Sequence, residues 1–122
     1  MDYQFYYNER QLPCARLSME HEAFGLWLSE ELSSDAQQCQ ALLDAITALI
    51  KGLRQEFQWQ GHEFLLRLTR EDAEVTALSL LQDYSLDELD SEEGLELYDA
   101  ESRAICGLED FQELLIEWQA FI

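Results

Sequence analysis

Residues 56–81, EFQWQGHEFLLRLTREDAEVTALSLL, set the fold class. Phe57 and Trp59 share a face, and Gly61-His62 breaks the run. Phe64, Leu66 and Leu68 then alternate against Leu65, Arg67 and Thr69. Arg70-Glu71-Asp72 is polar and reads as a turn. Val75, Ala77 and Ser79 alternate against Thr76, Leu78 and Leu80. Period-two apolarity with short polar breaks predicts three antiparallel strands in a meander, one face buried and one wet.

Upstream of this meander the period changes. Cys39, Leu42, Leu43, Ile46, Leu49, Ile50 and Leu53 recur at helical spacing. Ser34 and Gln37 have the spacing of a capping box, and Gly52 suits a left-handed stop, so a helix is predicted over 35–51. Cys39 lies on the apolar stripe and reads as core. Residues 20–32 carry Ala23, Phe24, Trp27, Leu28 and Leu32 at helical spacing, weakened by Gly25. Before them, Tyr3, Phe5 and Tyr7 alternate over 2–7, and Ala15, Leu17 and Met19 alternate over 13–19, with Asn8 to Gln11 between them. Pro13 fits a strand start or a sheet edge. These two runs predict an N-terminal hairpin.

Downstream, Leu108, Phe111, Leu114, Leu115, Trp118, Phe121 and Ile122 form a wide stripe over a predicted helix at 108–121, with Glu109 and Asp110 in its first turn. The expected architecture is α+β: an antiparallel sheet of about five strands with helices packed on one face, in the order β-β-α-α-β-β-β-α. The 122 residues fit a single domain, 1–122. Residues 83–102 carry nine acids and no base and are expected to form an acidic loop.

Charge is the strongest compositional signal. Twenty-six acids face seven bases, a formal net charge of -19. Residues 62–122 hold seventeen of the acids and three of the bases. Binding to nucleic acid is largely neutralisation of phosphate by Lys and Arg, so direct nucleic-acid binding is excluded. Anionic membrane surfaces are repelled as well. The N-terminus is acidic where a signal peptide needs positive charge, and no run is long and apolar enough to span a membrane, so a cytoplasmic location is expected. Cys14, Cys39 and Cys106 are odd in number and widely spaced, which argues against disulfides and against a C-x-x-C motif.

No constellation specifies a reaction, and no cofactor is implied. The two histidines each precede a glutamate, as His21-Glu22 and His62-Glu63. Together they are the candidate set for a metal-dependent or small-molecule role, although neither pair has the H-E-x-x-H helical spacing. Counting back from Gly94 puts Leu89 at the first ligand position of a calcium loop, where an oxygen is required. Cys106 precedes a predicted helix, but Glu109 and Asp110 disfavour its thiolate. The charge instead points to a non-enzymatic accessory role toward a basic protein, such as RNA polymerase or the ribosome. Asp87, Glu88, Asp90, Glu92, Glu93 and Glu96 would supply the charge of that contact. Leu86, Leu89 and Tyr98 would be its apolar anchors. Monomer and dimer both remain open, with Trp59, Trp118 or a sheet edge as the means of self-association.

Several short motifs occur in a specific order: Met1-Asp2-Tyr3, Ser18-Met19-x-His21-Glu22 with Trp27-x-x-Glu30-Glu31, Gly61-His62-Glu63, and Cys106-Gly107-x-x-Asp110-Phe111. In that order, across nearly the whole chain, they resemble the YacL family of small uncharacterised gammaproteobacterial proteins. This family is unrelated to the Gram-positive nuclease of the same name. Position 4 is Gln where the family has an acid, and the long helix differs in its residues. The resemblance implies a bacterial cytoplasmic protein and transfers no activity, cofactor or catalytic residue.

Overall fold

A computed structural model describes residues 2–18, 20–78 and 103–122. Strands β1 (Tyr3–Tyr7) and β2 (Pro13–Leu17) form an antiparallel hairpin in which Phe5 lies opposite Ala15. Its turn is held by the Asn8 side chain, whose Oδ1 accepts the amides of Arg10 and Leu12. Helix α1 (Glu22–Leu26) runs directly into a π-helical turn, Trp27–Leu32. Helix α2 spans Ala36–Ile50. Strands β3 (Glu56–Gln60), β4 (Phe64–Thr69) and β5 (Asp72–Ala77) form the predicted meander. A further strand, β6 (Arg103–Gly107), pairs antiparallel with β5, and helix α3 (Leu108–Phe121) follows it at once.

The α+β class and the order of the predicted elements are therefore present. Two details are added. β6 lies between the meander and the last helix. The strands divide into a two-stranded sheet, β1-β2, and a four-stranded sheet, β3-β4-β5-β6.

Each element follows from local chemistry. The N-cap of α2 is Asp35 rather than Ser34: Asp35 Oδ1 accepts the Gln38 amide at 3.0 Å, worth about 1 kcal/mol. The far end of α2 closes as the sequence predicts. Gly52 has φ +78°, its amide donates to the Leu49 carbonyl, and the Leu53 amide donates to the Ala48 carbonyl. At the end of the π turn the Ser33 amide donates to the Leu28 carbonyl at 2.7 Å, five residues back, and Ser33 itself has φ +48°.

The core forms where the helices meet one face of the larger sheet. Phe64, Leu66, Leu68, Ala73, Val75 and Ala104 point inward from β4, β5 and β6 and are buried. They meet Phe24 and Trp27, Leu42, Ile46 and Leu49 of α2, and Phe111, Leu114 and Trp118 of α3. Cys39 is fully buried, and its thiol points at the Leu115 carbonyl, as its place on the stripe predicts.

β1 packs on α3. Phe5 meets the Trp118 ring edge-on at 5.1 Å, and Tyr7 stacks on Phe121 at 4.8 Å. The Tyr7 hydroxyl donates to the Phe121 carbonyl. β2 instead packs on α1, where Gly25 lies against the backbone of Ala15.

Candidate interaction surface

The second His-Glu pair sits in the β3–β4 turn. Its backbone, not its side chains, makes the structural contact. Glu31, in the π turn, accepts the His62 amide on Oε1 and the Glu63 amide on Oε2, both at 2.8 Å. A Cβ at Gly61 would collide with this carboxylate, which accounts for glycine there. The sequence reading named Glu31 only within the motif Trp27-x-x-Glu30-Glu31 and gave it no role. The signal available was the coincidence of an acid in one helix with a Gly-led turn thirty-one residues later.

The first pair sits at the start of α1. His21 occupies the N-cap position without a side-chain capping bond, and its ring stacks on Phe24 with centroids 6.2 Å apart. Its Nδ1 is buried and has no hydrogen-bond partner among the described residues. Glu22 lies in the first helical turn. Among the described residues, no group of three or more His, Cys, Asp or Glu side chains is placed to hold a metal ion. His21, Glu22, His62 and Glu63 thus do not converge as a ligand set.

Two of the thiols, Cys39 and Cys106, are held in their neutral form. Burial, with Asp35 adding to it, pushes Cys39 up to about 11. Burial, then the charges of Asp110 and Asp72, pushes Cys106 up to about 12.

The acids segregate. On α3 the inward stripe is apolar, while Glu109, Asp110, Glu113 and Glu117 are exposed, with no base on the helix. Ile116 lies among them, about half exposed at 51%. Burial first, then the neighbouring carboxylates of Glu117 and Glu113, raises the Tyr3 phenol of β1 above its ordinary value. Two of the three bases in residues 62–122 are engaged: Arg67 pairs with Glu56 and Arg103 with Glu74, both on the outer face of the larger sheet. Asp87, Glu88, Asp90, Glu92, Glu93, Glu96, Tyr98, Leu86 and Leu89 lie outside the described residues, as does the whole of the predicted loop 83–102.

An open groove of about 1040 Å³ lies among the described residues. It runs between the end of α2, the β4–β5 turn and the start of α3. Arg67, Arg70, Glu71, Asp72, Glu109 and Asp110 line it with mixed charge. No helix among the described residues is long and apolar enough to cross a membrane.

Comparison with known proteins gives one consistent answer. The family described as "Uncharacterised protein family (UPF0231)" matches residues 1–122. A UPF0231 protein of Shewanella amazonensis is 47% identical over 108 residues, covering 88% of this chain and 85% of its own. One from Shewanella putrefaciens is 43% identical over 108 residues, with the same coverage. One from Photorhabdus laumondii is 38% identical over 122 residues, covering 100% of this chain and 95% of its own. No solved structure matches. The chain belongs to the UPF0231 family, known also as YacL, as its ordered motifs suggested.

Proposed function

We propose that this chain is a non-enzymatic accessory protein of the bacterial cytoplasm. In this reading its acidic C-terminal half binds a basic surface on a nucleic-acid-handling protein such as RNA polymerase or the ribosome. The observation that carries it is charge segregation: seventeen acids against three bases in residues 62–122, with two of those bases already paired to Glu56 and Glu74. The exposed acids of α3 with Ile116 at their centre supply a charged face with an apolar anchor. Asp87, Glu88, Asp90, Glu92, Glu93 and Glu96, with Leu86, Leu89 and Tyr98, extend the same composition in sequence. Such a field speeds encounter with a basic surface and weakens as salt rises.

The test titrates the protein against purified RNA polymerase and purified ribosomes at low and moderate salt. A second protein carries Asp87→Asn, Glu88→Gln, Asp90→Asn, Glu92→Gln and Glu93→Gln. Binding to one of the two at low salt, weakened by at least about tenfold in the neutralised protein, is expected. Binding to neither, or binding indifferent to those five changes, ends this reading.

A further inference from the structure

At β3 the edge of the larger sheet presents unpaired backbone groups. The Gly61 amide donates to the Phe64 carbonyl across the turn at 2.9 Å, and an antiparallel ladder alternates from there. Phe57 and Trp59 therefore direct their backbone groups toward β4, while Glu56, Gln58 and Gln60 direct theirs outward. The Glu56 carbonyl confirms the phase: it accepts Arg54 Nε at 3.3 Å, and the Arg54 guanidinium lies over the Phe57 ring. The outward amides and carbonyls of Gln58 and Gln60 have no hydrogen-bond partner among the described residues. By contrast, β2 has cover beside it, since the Ala15 amide donates to Ser29 Oγ of the π turn.

Edge strands are ordinarily blunted by Lys, Pro, a bulge or an inward charge. β3 reads Glu56-Phe57-Gln58-Trp59-Gln60 and has none of these past Glu56. Glu56 itself is paired to Arg67. In a chain of net charge -19 this is an edge that a second copy can approach with little local repulsion.

We infer that β3 pairs with β3 of a second copy, antiparallel about a two-fold axis at Trp59, joining two four-stranded sheets into one. This register is self-complementary. Gln58 of each copy faces Gln60 of the other, and these pairs exchange roughly four backbone hydrogen bonds in all. Glu56 faces His62 of the second copy, and Phe57 faces Gly61, beside the Glu31 carboxylate that fills the space over that glycine. The two half-buried Trp59 side chains meet across the axis on the inner face, extending a core in which each already packs edge-on against Trp27 at 5.9 Å. The Arg54 bond to the Glu56 carbonyl survives, because the pairing uses only residues 58 and 60.

This inference stands apart from the acidic-surface reading, and salt separates the two. Screening relieves repulsion between two anionic copies, so self-association strengthens with salt while binding to a basic partner weakens. Sedimentation equilibrium on the full chain from about 10 μM to about 1 mM, at low and high salt, is the test. A monomer–dimer equilibrium that tightens with salt is expected, and a monomer at every point overturns the inference. Gln58→Pro removes an outward donor that the β4 ladder does not use, and it should abolish the dimer with the circular dichroism unchanged. A dimer that persists in folded Gln58→Pro overturns the inference too. Should that variant not fold, a charge pair decides. Gln58→Lys with Gln60→Lys puts like charges opposite across the axis, and Gln58→Lys with Gln60→Glu puts opposite ones there. The second should dimerise about tenfold or more tightly than the first. Equal dimerisation of the two rejects this register.

Discussion

Gly25 and Ala15 touch through their backbones: a Cβ at Gly25 would lie 2.7 Å from the Ala15 carbonyl oxygen and 3.3 Å from Leu17 Cδ1. The approach lets α1 lie on β2, with Ser29 one turn later bridging the Gly25 carbonyl and the Ala15 amide. Gly25→Ala puts a methyl against backbone that has no rotamer to escape into. Although alanine is the better helix former, the variant is expected to lose about 1–3 kcal/mol. Urea denaturation followed by tryptophan fluorescence reads this loss, and unchanged stability would show that the hairpin can shift aside.

The Glu31 carboxylate joins the π turn to the β3–β4 turn. Glu31→Ala leaves the His62 and Glu63 amides to water and should cost about 1–2 kcal/mol. Glu31→Gln keeps one acceptor oxygen and should recover part of it. Hydrogen exchange at residues 62 and 63 is the local readout: both amides exchange faster in Glu31→Ala, while the β4–β5 ladder stays protected.

The thiols predict a pH dependence with a definite sign. Cys39 and Cys106 ionise near 9 when unfolded but only at about 11 and about 12 when folded. Folding therefore retains protons that the unfolded chain gives up. The stabilisation is fully present below pH 9 and falls as pH rises through 9 toward 12. Denaturation midpoints of the reduced protein should drop over that window, less so in Cys106→Ala. At pH 8 a thiol reagent should modify Cys14 well before Cys39, which is fully buried.

On α3, Glu109, Glu113 and Glu117 are like charges at successive four-residue spacings. Glu113→Lys turns both repulsions into attractions and should raise stability by about 0.5–1 kcal/mol. The same change reverses a charge at the centre of the exposed acidic face. If that face binds a basic protein, affinity falls while stability rises. Thermal melts and a binding titration on one variant would separate the two effects.

The legibility of this chain in its sequence depends on how far each contact reaches. α2 and α3 were readable because wide apolar stripes at a period of 3.6 need nothing beyond themselves. Gly52 ended α2 for the same local reason. The cap of α2 was misplaced by one residue because Ser34 and Asp35 are both competent acceptors, and the backbone selects Asp35. β6 went unread because a five-residue strand offers only Ala104 and Cys106 as inward positions, too few to show alternation. The π turn within 20–32 carries no period of its own. Among the candidate site residues, the histidines drew attention as side chains, whereas what fixes the 61–63 turn is backbone donation to Glu31. Amides leave no trace in residue identity.

The seating of β1 on α3 bears on how the chain acquires its structure. The Tyr7 hydroxyl and the Phe121 carbonyl that it bonds are 114 positions apart, and the Phe5–Trp118 contact is nearly as long-range. During synthesis the hairpin emerges early and must wait, with Phe5 uncovered, until α3 has been made. Contacts between distant parts of a chain close slowly, because the loop entropy is spent before they return anything. The central helix and the meander are able to form as a vectorial intermediate. The seating of β1 on α3 has to come after α3 is made, and nascent chains stalled before residue 108 should expose aromatic surface to chaperones.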